Sequence, residues 1–528
     1  MLAMFVGMAG RLVYLSGGRE IAQYASVTGS RVISVGINGA RGVIYDRNGV
    51  PLVGGEEREA VLCEPMSLDE ESAELLRAHV TDMTAEELNR AISAGRPFLA
   101  YVTQPIAGRG LTGLRALARY GGLAQHLMGY LDGEGHGVVG IEAAMDDMLY
   151  AEGYSYKALF TSDAARRALS GYGIGFEGSA QPVKKGVVLS LDREIQEICE
   201  AVADERIERG VILVGDVKSR QICAWVSRPT YDPLRVEEYL EQGDVMLNKA
   251  LHAYCCGSVF KIIVTAAALE AGIELPQEYE CTGSFTAGEH TLSCAKKEGH
   301  GVVDATAAFA QSCNPYFCYL ASLVGAQGVL EMAEKFGLGQ ATDFGYGIAS
   351  AQGQLPSLAN LSAPAALANF SIGQGDLQVT PLQVLEMGAI IAGGGVRQST
   401  RLFEALRDEQ GESTSLLQEK TEVRVISEST ASQIGKMMMT STQEGTGTPA
   451  AASVYHSAVK TSSAETGIYE DGKQVLHTWV TGFYPYEDPQ YAIAVLVEGG
   501  TSGYGSAAPV FGDMVDRLYG CGLIQPVI

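Results

Sequence analysis

The pattern of apolar and polar positions along the chain predicts its main strands and helices. Apolar runs at residues 187–191, 211–217 and 221–226 have the length of buried strands, and a polar turn at 218–220 joins the last two into a hairpin. Strand-like runs return at residues 454–465, 477–483 and 491–498, and a helix follows at 509–519. Residues 249–439 between them are mainly helical in pattern. We therefore expect an α+β domain in which early and late strands share one antiparallel sheet, with helices packed on its faces.

The chain before residue 187 has the pattern of a separate, mixed α/β unit. Residues 43–45 predict a strand that enters a turn at Asn48-Gly49. Two capping boxes, which begin at Ser67 and Thr84, predict the starts of two helices. A polar segment at residues 179–185 then separates this unit from the strand that begins at residue 187.

Composition narrows the class of protein. The chain has 528 residues, of which 46% are hydrophobic and 19% charged, so we expect a globular protein of two or three domains. The formal net charge of −24 argues against nucleic acid as a partner and against docking on anionic lipid through a basic face. The ten cysteines include no Cys-x-x-Cys pair, which argues against a zinc site. We expect neither a metal nor a cofactor.

Three short motifs carry the candidate chemistry. Ser258 and Lys261 lie one helical turn apart where an apolar helix begins, so the amine can reach the hydroxyl. A serine needs a base to become a nucleophile, and lysine serves as one only when burial or a nearby cation lowers its pKa. Ser312-Cys313-Asn314 and Lys460-Thr461-Ser462 follow downstream, in the order of a known catalytic set.

The Ser-x-x-Lys motif alone is weak evidence, since the chain contains it again at Ser293 and at Ser457. A single copy is typical of a solvated helix or loop face. Only the copy at Ser258 has both partner motifs after it at the spacing of the set, and this selects it as the candidate nucleophile.

The constellation resembles that of the class B penicillin-binding proteins, and further stretches extend the resemblance over nearly the whole chain. These stretches are residues 41–49, 140–142, 191–196, 228–233, 299–301, 373–375, 380–383 and 445–447. The resemblance implies three parts: a partial membrane anchor at 1–15, a pedestal domain at 16–186 and a penicillin-recognising transpeptidase domain at 187–528. From the residues alone, 1–15 is too short to span a membrane, and an amphipathic helix is the alternative.

The resemblance also implies an activity, partners and a location. It implies a serine-type D,D-transpeptidase that cross-links peptidoglycan stem peptides ending in D-Ala-D-Ala and that binds β-lactams. It places the chain in the cell membrane by a single span, with the catalytic domain outside the cytoplasm. A membrane glycan polymerase of the SEDS type is the implied protein partner, and no cofactor is implied.

By the same resemblance, four residues carry the reaction. Ser258 attacks the substrate carbonyl to form an acyl-enzyme, and Lys261 is the base for this step. Ser312 relays the proton to the leaving amine, and Asn314 donates a hydrogen bond to the substrate's amide backbone.

The strand motif is expected to bind the substrate. Lys460 and Thr461 hold the terminal carboxylate, and the N–H of Ser463 completes an oxyanion hole with that of the nucleophile. Two positions depart from the family: Ser462 stands where relatives usually have glycine, and Cys256 where they usually have proline. A serine at 462 either narrows the cleft or points away from it.

The departure at residue 462 leaves an alternative function open, that of a catalytically weak or inactive scaffold which holds a glycan polymerase. A β-lactamase would need a further base to activate water, and no motif for one is evident. A β-lactam sensor would carry the His-Glu-x-x-His motif of a metalloprotease, which the chain lacks.

Cys281 and Cys294 flank a segment with glycines at 283 and 288, a pattern typical of a small hairpin. The family's exported sporulation members resemble this chain in having a cysteine pair near the active site. Two interpretations are open, a disulfide that closes the hairpin and two buried thiols that never meet.

Overall fold

The computed structural model describes residues 31–39, 41–151, 155–163, 167–169, 173–178, 183–416, 421–470 and 472–527. The anchor expected at 1–15 and part of the polar segment expected at 179–185 lie outside the described residues. Within these ranges, no helix has both the length and the apolar character needed to cross a membrane.

The amino-terminal part is mixed α/β, as predicted. A strand at Val43–Tyr45 turns at residues 46–50 into the long strand Pro51–Cys63, which pairs with both Phe98–Tyr101 and Leu111–Tyr120. A second, three-stranded antiparallel sheet has the order Arg31–Asn38, Tyr156–Ser162, Gly175–Gly178. The helices of this part are Pro65–Ser67 (3-10), Glu70–His79, Ala85–Ser93, Gln125–Met128, Gly140–Ala144 and Asp146–Leu149.

One of the two predicted helix starts is confirmed and the other is wrong. Thr84 forms the expected capping box with Glu87, each side chain bonding to the other's backbone N–H. Ser67 does not cap the helix Glu70–His79, because Pro65–Ser67 forms a 3-10 turn. The extended residue Asp69 caps this helix, and its carboxylate accepts a hydrogen bond from the N–H of Ser72.

The strand Gly186–Leu189 connects the two parts of the chain. It runs parallel to Val43–Tyr45 and antiparallel to Phe403–Arg407, which also pairs with Ser413–Ser415. The first strand after the polar segment therefore extends the sheet of the amino-terminal part rather than that of the carboxyl-terminal part. The domain boundary near residue 187 stays a prediction.

A five-stranded antiparallel sheet forms the centre of the carboxyl-terminal part. Its order is Ile222–Arg228, Gly210–Asp216, Tyr491–Glu498, Lys473–Tyr484, Ala458–Glu470, which confirms that early and late strands share one sheet. The first three strands are buried almost throughout, because helices cover both faces. Arg193–Arg206 and Ala508–Gly520 pack on one face, and Pro381–Ala392 and Glu428–Glu444 pack on the other.

The segment predicted to be mainly helical contains short strands as well. Its α-helices are Lys261–Glu270, Ala305–Ala310, Asn314–Val324, Ala326–Lys335, Pro364–Ser371, Pro381–Ala392 and Glu428–Glu444. Its paired strands are Tyr279–Cys281 with Gly301–Val303, Ser284–Ala287 with His290–Ser293, and Val396–Gln398 with Glu422–Arg424. The single-turn helices of the carboxyl-terminal part are Val236–Glu238, Lys249–Leu251, Gly257–Phe260, Asn360–Ser362, Thr448–Ala450 and the π-turn Gly503–Ala507.

A buried carboxylate joins two of the pedestal stretches that the sequence singled out. Glu142 is fully buried and accepts hydrogen bonds from Arg41 Nε at 2.7 Å and from Arg119 Nη2 at 2.5 Å. Arg41 also pairs with Asp146 at 2.5 Å. The arginine comes from the stretch at 41–49 and the glutamate from that at 140–142, so both stretches serve the internal packing of the amino-terminal part.

We expect Glu142→Gln to destabilise the amino-terminal part by about 3–5 kcal/mol, because it removes the anion of Arg119 and one of the two anions of the buried Arg41. The matched control is Glu56→Gln, which removes an ion pair with Arg58 whose side chains are about half exposed. That change should cost less than about 1 kcal/mol. Urea unfolding followed by circular dichroism measures both, and equal shifts of the two midpoints would contradict the assignment.

Candidate active site

The candidate nucleophile lies where a tight turn enters a buried helix. Gly257–Phe260 forms a 3-10 turn that continues into the α-helix Lys261–Glu270. This helix is apolar around nearly its whole circumference and packs into the core, so Lys261 is fully buried while Ser258 stays partly exposed. The sequence prediction of an apolar helix at this point is confirmed.

Burial and hydrogen bonding define the state of Lys261. Its Nζ donates to the carbonyl oxygen of Ser312 at 2.8 Å, to Ser312 Oγ at 3.1 Å and to Asn314 Oδ1 at 2.7 Å. No hydrogen bond joins it to Ser258, which the structure also describes. Removal from water lowers the pKa of Lys261 to about 8. When Lys261 is neutral, its amine has two N–H groups. These can serve the carbonyl oxygen of Ser312 and Asn314 Oδ1, which accept hydrogen bonds but cannot donate them. The lone pair of the amine is then free to take a proton.

Ser312 is the point on which two lysines converge. Its φ of 57° is in the left-handed region, which a serine rarely adopts, and its hydroxyl faces both amines. Lys460 Nζ donates to Ser312 Oγ at 3.0 Å and to the carbonyl oxygen of Thr461 at 3.0 Å. The structure therefore brings together Lys261, Ser312 and Lys460, as the three motifs predicted.

The two ammonium groups lack an acidic partner. Lys460 is fully buried, and desolvation, with repulsion from Lys261, holds its pKa well below the usual value. Among the described residues no carboxylate contributes to the pKa of either lysine. A site with two desolvated amines and no anion is suited to bind a carboxylate, which would favour the charged form of Lys460.

Two predicted binding residues have partners within the protein. Asn314 begins the helix Asn314–Val324, and its Nδ2 donates to the carbonyl oxygen of Ser293 at 3.1 Å. This leaves the second N–H of the amide for a ligand. Thr461 Oγ1 lies 2.6 Å from Thr446 Oγ1. Thr446 belongs to the family-like stretch at 445–447, but the sequence did not reveal that it contacts Thr461.

Comparison with known proteins assigns the family. A sequence profile of the penicillin binding protein transpeptidase domain matches residues 210–516, more than half of the chain. Penicillin-binding protein PbpB of Mycobacterium tuberculosis is 30% identical over 481 residues, which cover 85% of this chain and 68% of the relative. The chain belongs to the class B penicillin-binding proteins.

Two further likenesses agree with this assignment. Peptidoglycan D,D-transpeptidase FtsI of Escherichia coli is 24% identical, with 93% of this chain and 85% of the relative covered. The crystal structure of penicillin binding protein 3 from Mycobacterium tuberculosis, complexed with ampicillin, superposes with a TM-score of 0.66 at 24% identity. That alignment covers 94% of this chain and 99% of the other, and it confirms the expected α+β fold.

The other two Ser-x-x-Lys copies of this penicillin-binding protein lack the geometry. Ser293 ends a hairpin strand, and both it and Lys296 are exposed. Ser457 is buried just before the strand Ala458–Glu470, and Lys460 lies on that strand, so this pair has no helical spacing.

The serine that replaces the family's usual glycine does not project into open space. Ser462 is 3% exposed. If Gly257 carried a Cβ, that atom would lie only 2.4 Å from the Oγ of Ser462. Its side chain therefore fills the space beside Gly257, whose φ of +56° also favours glycine. The side chain is thus buried against the turn that carries Ser258, and the choice between a narrowed and an unchanged cleft stays a prediction. Ser463 is exposed, and its Oγ accepts a hydrogen bond from the N–H of Gly503 at 2.9 Å.

The hydroxyl of Ser462 is buried without a hydrogen-bond partner among the described residues. We expect Ser462→Ala to raise the free energy of unfolding by about 1 kcal/mol, because it removes an unsatisfied polar group. The matched control is Ser371→Ala, since the hydroxyl of Ser371 is also buried but donates to the carbonyl oxygen of Ala368 at 2.7 Å. That change should lower the free energy of unfolding by about 1 kcal/mol. Thermal unfolding of both variants checks the sign, and a loss at position 462 would disprove the assignment.

Proposed function

We propose that this protein is a peptidoglycan D,D-transpeptidase that works through an acyl-enzyme on Ser258. The observation that carries the proposal is the convergence of Lys261 and Lys460, both buried and without a carboxylate partner, on the hydroxyl of Ser312 beside the nucleophile's turn. The name of FtsI, a D,D-transpeptidase, supports the reaction class. The substrate is a stem peptide that ends in D-Ala-D-Ala.

The proposed reaction has two steps. Ser258 Oγ attacks the carbonyl carbon between the two terminal D-alanines, and its proton passes to the neutral amine of Lys261. The C–N bond breaks as the leaving amine takes a proton through Ser312, and D-alanine departs. An amine of a second stem peptide then attacks the ester, which forms the cross-link and returns the proton to Ser258.

Binding of the substrate's terminal carboxylate is assigned to Lys460 and Thr461. The carboxylate supplies the anion that the two lysines lack, and the charge-assisted hydrogen bond from Lys460 fixes its position. The N–H groups of Ser258 and Ser463 are the proposed oxyanion hole. A β-lactam carries a carboxylate and a strained amide in similar positions, and the ampicillin complex of a structural relative supports such binding.

The setting of the reaction is part of the proposal. A membrane anchor at the amino terminus would place the catalytic domain outside the cytoplasm, where its substrate lies, and a SEDS-type glycan polymerase would supply the glycan strands. An inactive scaffold is the alternative. Ser462, its main support, is buried beside Gly257 and does not separate the two lysines from Ser312.

The first test locates the acyl adduct. After treatment with penicillin, mass spectrometry of a proteolytic digest should place one adduct on the peptide that contains Ser258, because among the described serines only this one has a buried lysine one helical turn away. An adduct on Ser293 or Ser457 refutes the assigned nucleophile, and no adduct on any serine favours the scaffold.

The second test separates the roles of the lysines. Lys261→Ala should slow acylation by fluorescent penicillin about 10²–10⁴-fold, because it removes the base. Lys460→Ala should slow it about 10–100-fold, because it removes one charged hydrogen bond to the carboxylate.

In the unaltered protein, the neutral fraction of Lys261 grows as pH rises, so the acylation rate should increase through a midpoint near pH 8.

The matched control is Lys296→Ala, which removes the exposed lysine of another Ser-x-x-Lys copy and should leave the rate unchanged. Equal losses in the Lys261 and Lys460 variants, or a rate that falls as pH rises from 7 to 9, would show that the roles are assigned wrongly.

A further inference from the structure

Thr446 bridges the segment before Ser312 and the strand that carries Thr461. Its Oγ1 is 2.6 Å from Oγ1 of Thr461, and its backbone N–H donates to the carbonyl oxygen of Ala310 at 2.9 Å. Ala310 is the last residue of its helix and stands just ahead of Ser312 in the chain. One threonine therefore contacts both segments that form the proposed substrate site.

The backbone on either side of Thr446 is packed too closely for any side chain. A Cβ on Gly445 would lie 2.2 Å from the carbonyl oxygen of Ala310, and one on Gly447 would lie 2.6 Å from Cγ2 of Val459. The segment 445–447 is therefore wedged between the helix and the strand, and this holds the hydroxyl of Thr446 in place.

The hydroxyl of Thr461 has one proton, and the direction of that proton decides what the hydroxyl can bind. Thr461 is 3% exposed, and within the part of the chain that the structure describes its hydroxyl has Thr446 as its only hydrogen-bond partner. A carboxylate accepts hydrogen bonds and donates none, so Thr461 binds one only if its proton points away from Thr446. In that case Thr446 must donate to Thr461 rather than accept from it.

Two hydrogen-bond arrangements are open to this pair, because Thr446 has a second acceptor in the carbonyl oxygen of Ala310 at 3.3 Å. In the first arrangement, Thr461 donates to Thr446, which donates to Ala310. In the second, Thr446 donates to Thr461, whose proton is then available to a ligand. The oxygen of Ala310 stays paired in both, since it also accepts the N–H of Thr446 at 2.9 Å. The second arrangement therefore leaves no group unpaired once a carboxylate is bound.

We propose that Thr446 is a positioning residue for the substrate: its hydroxyl donates to Thr461 and directs the proton of Thr461 at the terminal carboxylate. This role rests on the proposed function, which assigns that carboxylate to Lys460 and Thr461. Donation from Thr446 also polarises the hydroxyl of Thr461, so the hydrogen bond to the anion is stronger in the chain of three groups than it is alone. Thr446 acts through Thr461 and does not itself contact the substrate.

A role in packing alone is the competing explanation. A residue that only ties the segment 445–447 to Ala310 would do so through its backbone N–H, which every residue except proline has. The contact at 2.6 Å between the two hydroxyls uses the side chain of Thr446. Removal of this hydroxyl therefore separates the two roles.

The test compares benzylpenicillin with its methyl ester as acylating agents of the full chain. The ester has the same strained amide but no carboxylate, so a difference between the two rates reports carboxylate binding. In the unaltered protein, the free acid should acylate Ser258 at least about 10-fold faster than the ester, because a hydrogen bond to a charged group contributes only with the acid. Equal rates in the unaltered protein would overturn the proposal before any variant is made.

Variants then assign the effect to Thr446. Thr446→Val carries a methyl group in place of the hydroxyl, which cannot donate and cannot approach Thr461 Oγ1 to 2.6 Å. This variant should slow acylation by the acid about 3–10-fold, through a higher dissociation constant of the non-covalent complex, and change the rate with the ester less than about 2-fold. Thr446→Ser keeps the hydroxyl and should restore the rate with the acid. Thr446→Ala, which introduces no clash, should change the two rates in the same direction as valine.

The matched control is Thr442→Val. It removes a buried hydroxyl that donates to the carbonyl oxygen of Ser457 at 2.8 Å, and it should not alter the ratio of the two rates. In a Thr461→Ala background, Thr446→Val should cause no further loss with the acid, because its effect passes through the hydroxyl of Thr461.

Three results would overturn the proposal while Ser258 is still acylated. They are equal slowing of acid and ester by Thr446→Val, an unchanged rate with the acid, and a further loss in the Thr461→Ala background. The first and third would show a role in packing only. Absence of any adduct on Ser258 in the unaltered protein is a different outcome, since it refutes the proposed function and with it this role.

Discussion

The active site depends on burying two lysine side chains that have no carboxylate partner in the part of the chain that the structure describes. Lys261 and Lys460 both approach the hydroxyl of Ser312 to about 3 Å, and burial lowers the pKa of each. Desolvation and mutual repulsion oppose this arrangement, and hydrogen bonds to carbonyl and amide oxygens offset them only in part. The unfavourable charge is useful for the proposed reaction. A carboxylate bound at Lys460 would favour the charged form of that lysine, while desolvation lowers the pKa of Lys261, which acts as the base in the proposed reaction.

Three parts of the fold that are far apart in sequence hold the two lysines close to Ser312. The helix Lys261–Glu270 is buried almost all round, so its first residue has no route to water. The strand Ala458–Glu470 lies at the edge of the central sheet and presents Lys460 to the same point. Between them, the left-handed residue Ser312 directs both its hydroxyl and its carbonyl oxygen at Lys261. Such a strained conformation persists only where the surroundings over-determine it.

Features with a local cause could be predicted from the sequence, and features that depend on distant contacts could not. The sheet was predictable because strands buried on both faces appear as apolar runs. Thr84 was predictable because both partners of a capping box lie within one turn. The hydrogen bonds of Lys261 to Ser312 and Asn314 were not, since they depend on where a turn 51 residues away is placed. Cys281 and Cys294 were singled out as a pair, but the approach of His300 and Cys313 to them was missed for the same reason.

The departure at Ser462 shows how a change inside a predicted catalytic motif can leave the neighbouring lysines and Ser312 in contact. Side chains alternate along a strand, so Ser462 lies on the same side as Lys460, towards the turn that carries Ser258. Gly257 has no side chain, and the serine hydroxyl occupies the space next to it. The substitution therefore acts on packing beneath the candidate nucleophile, where its buried hydroxyl lacks a hydrogen-bond partner among the described residues. Its cost falls on stability rather than on the reacting groups, because neither Ser258 nor the two lysines donates to or accepts from it.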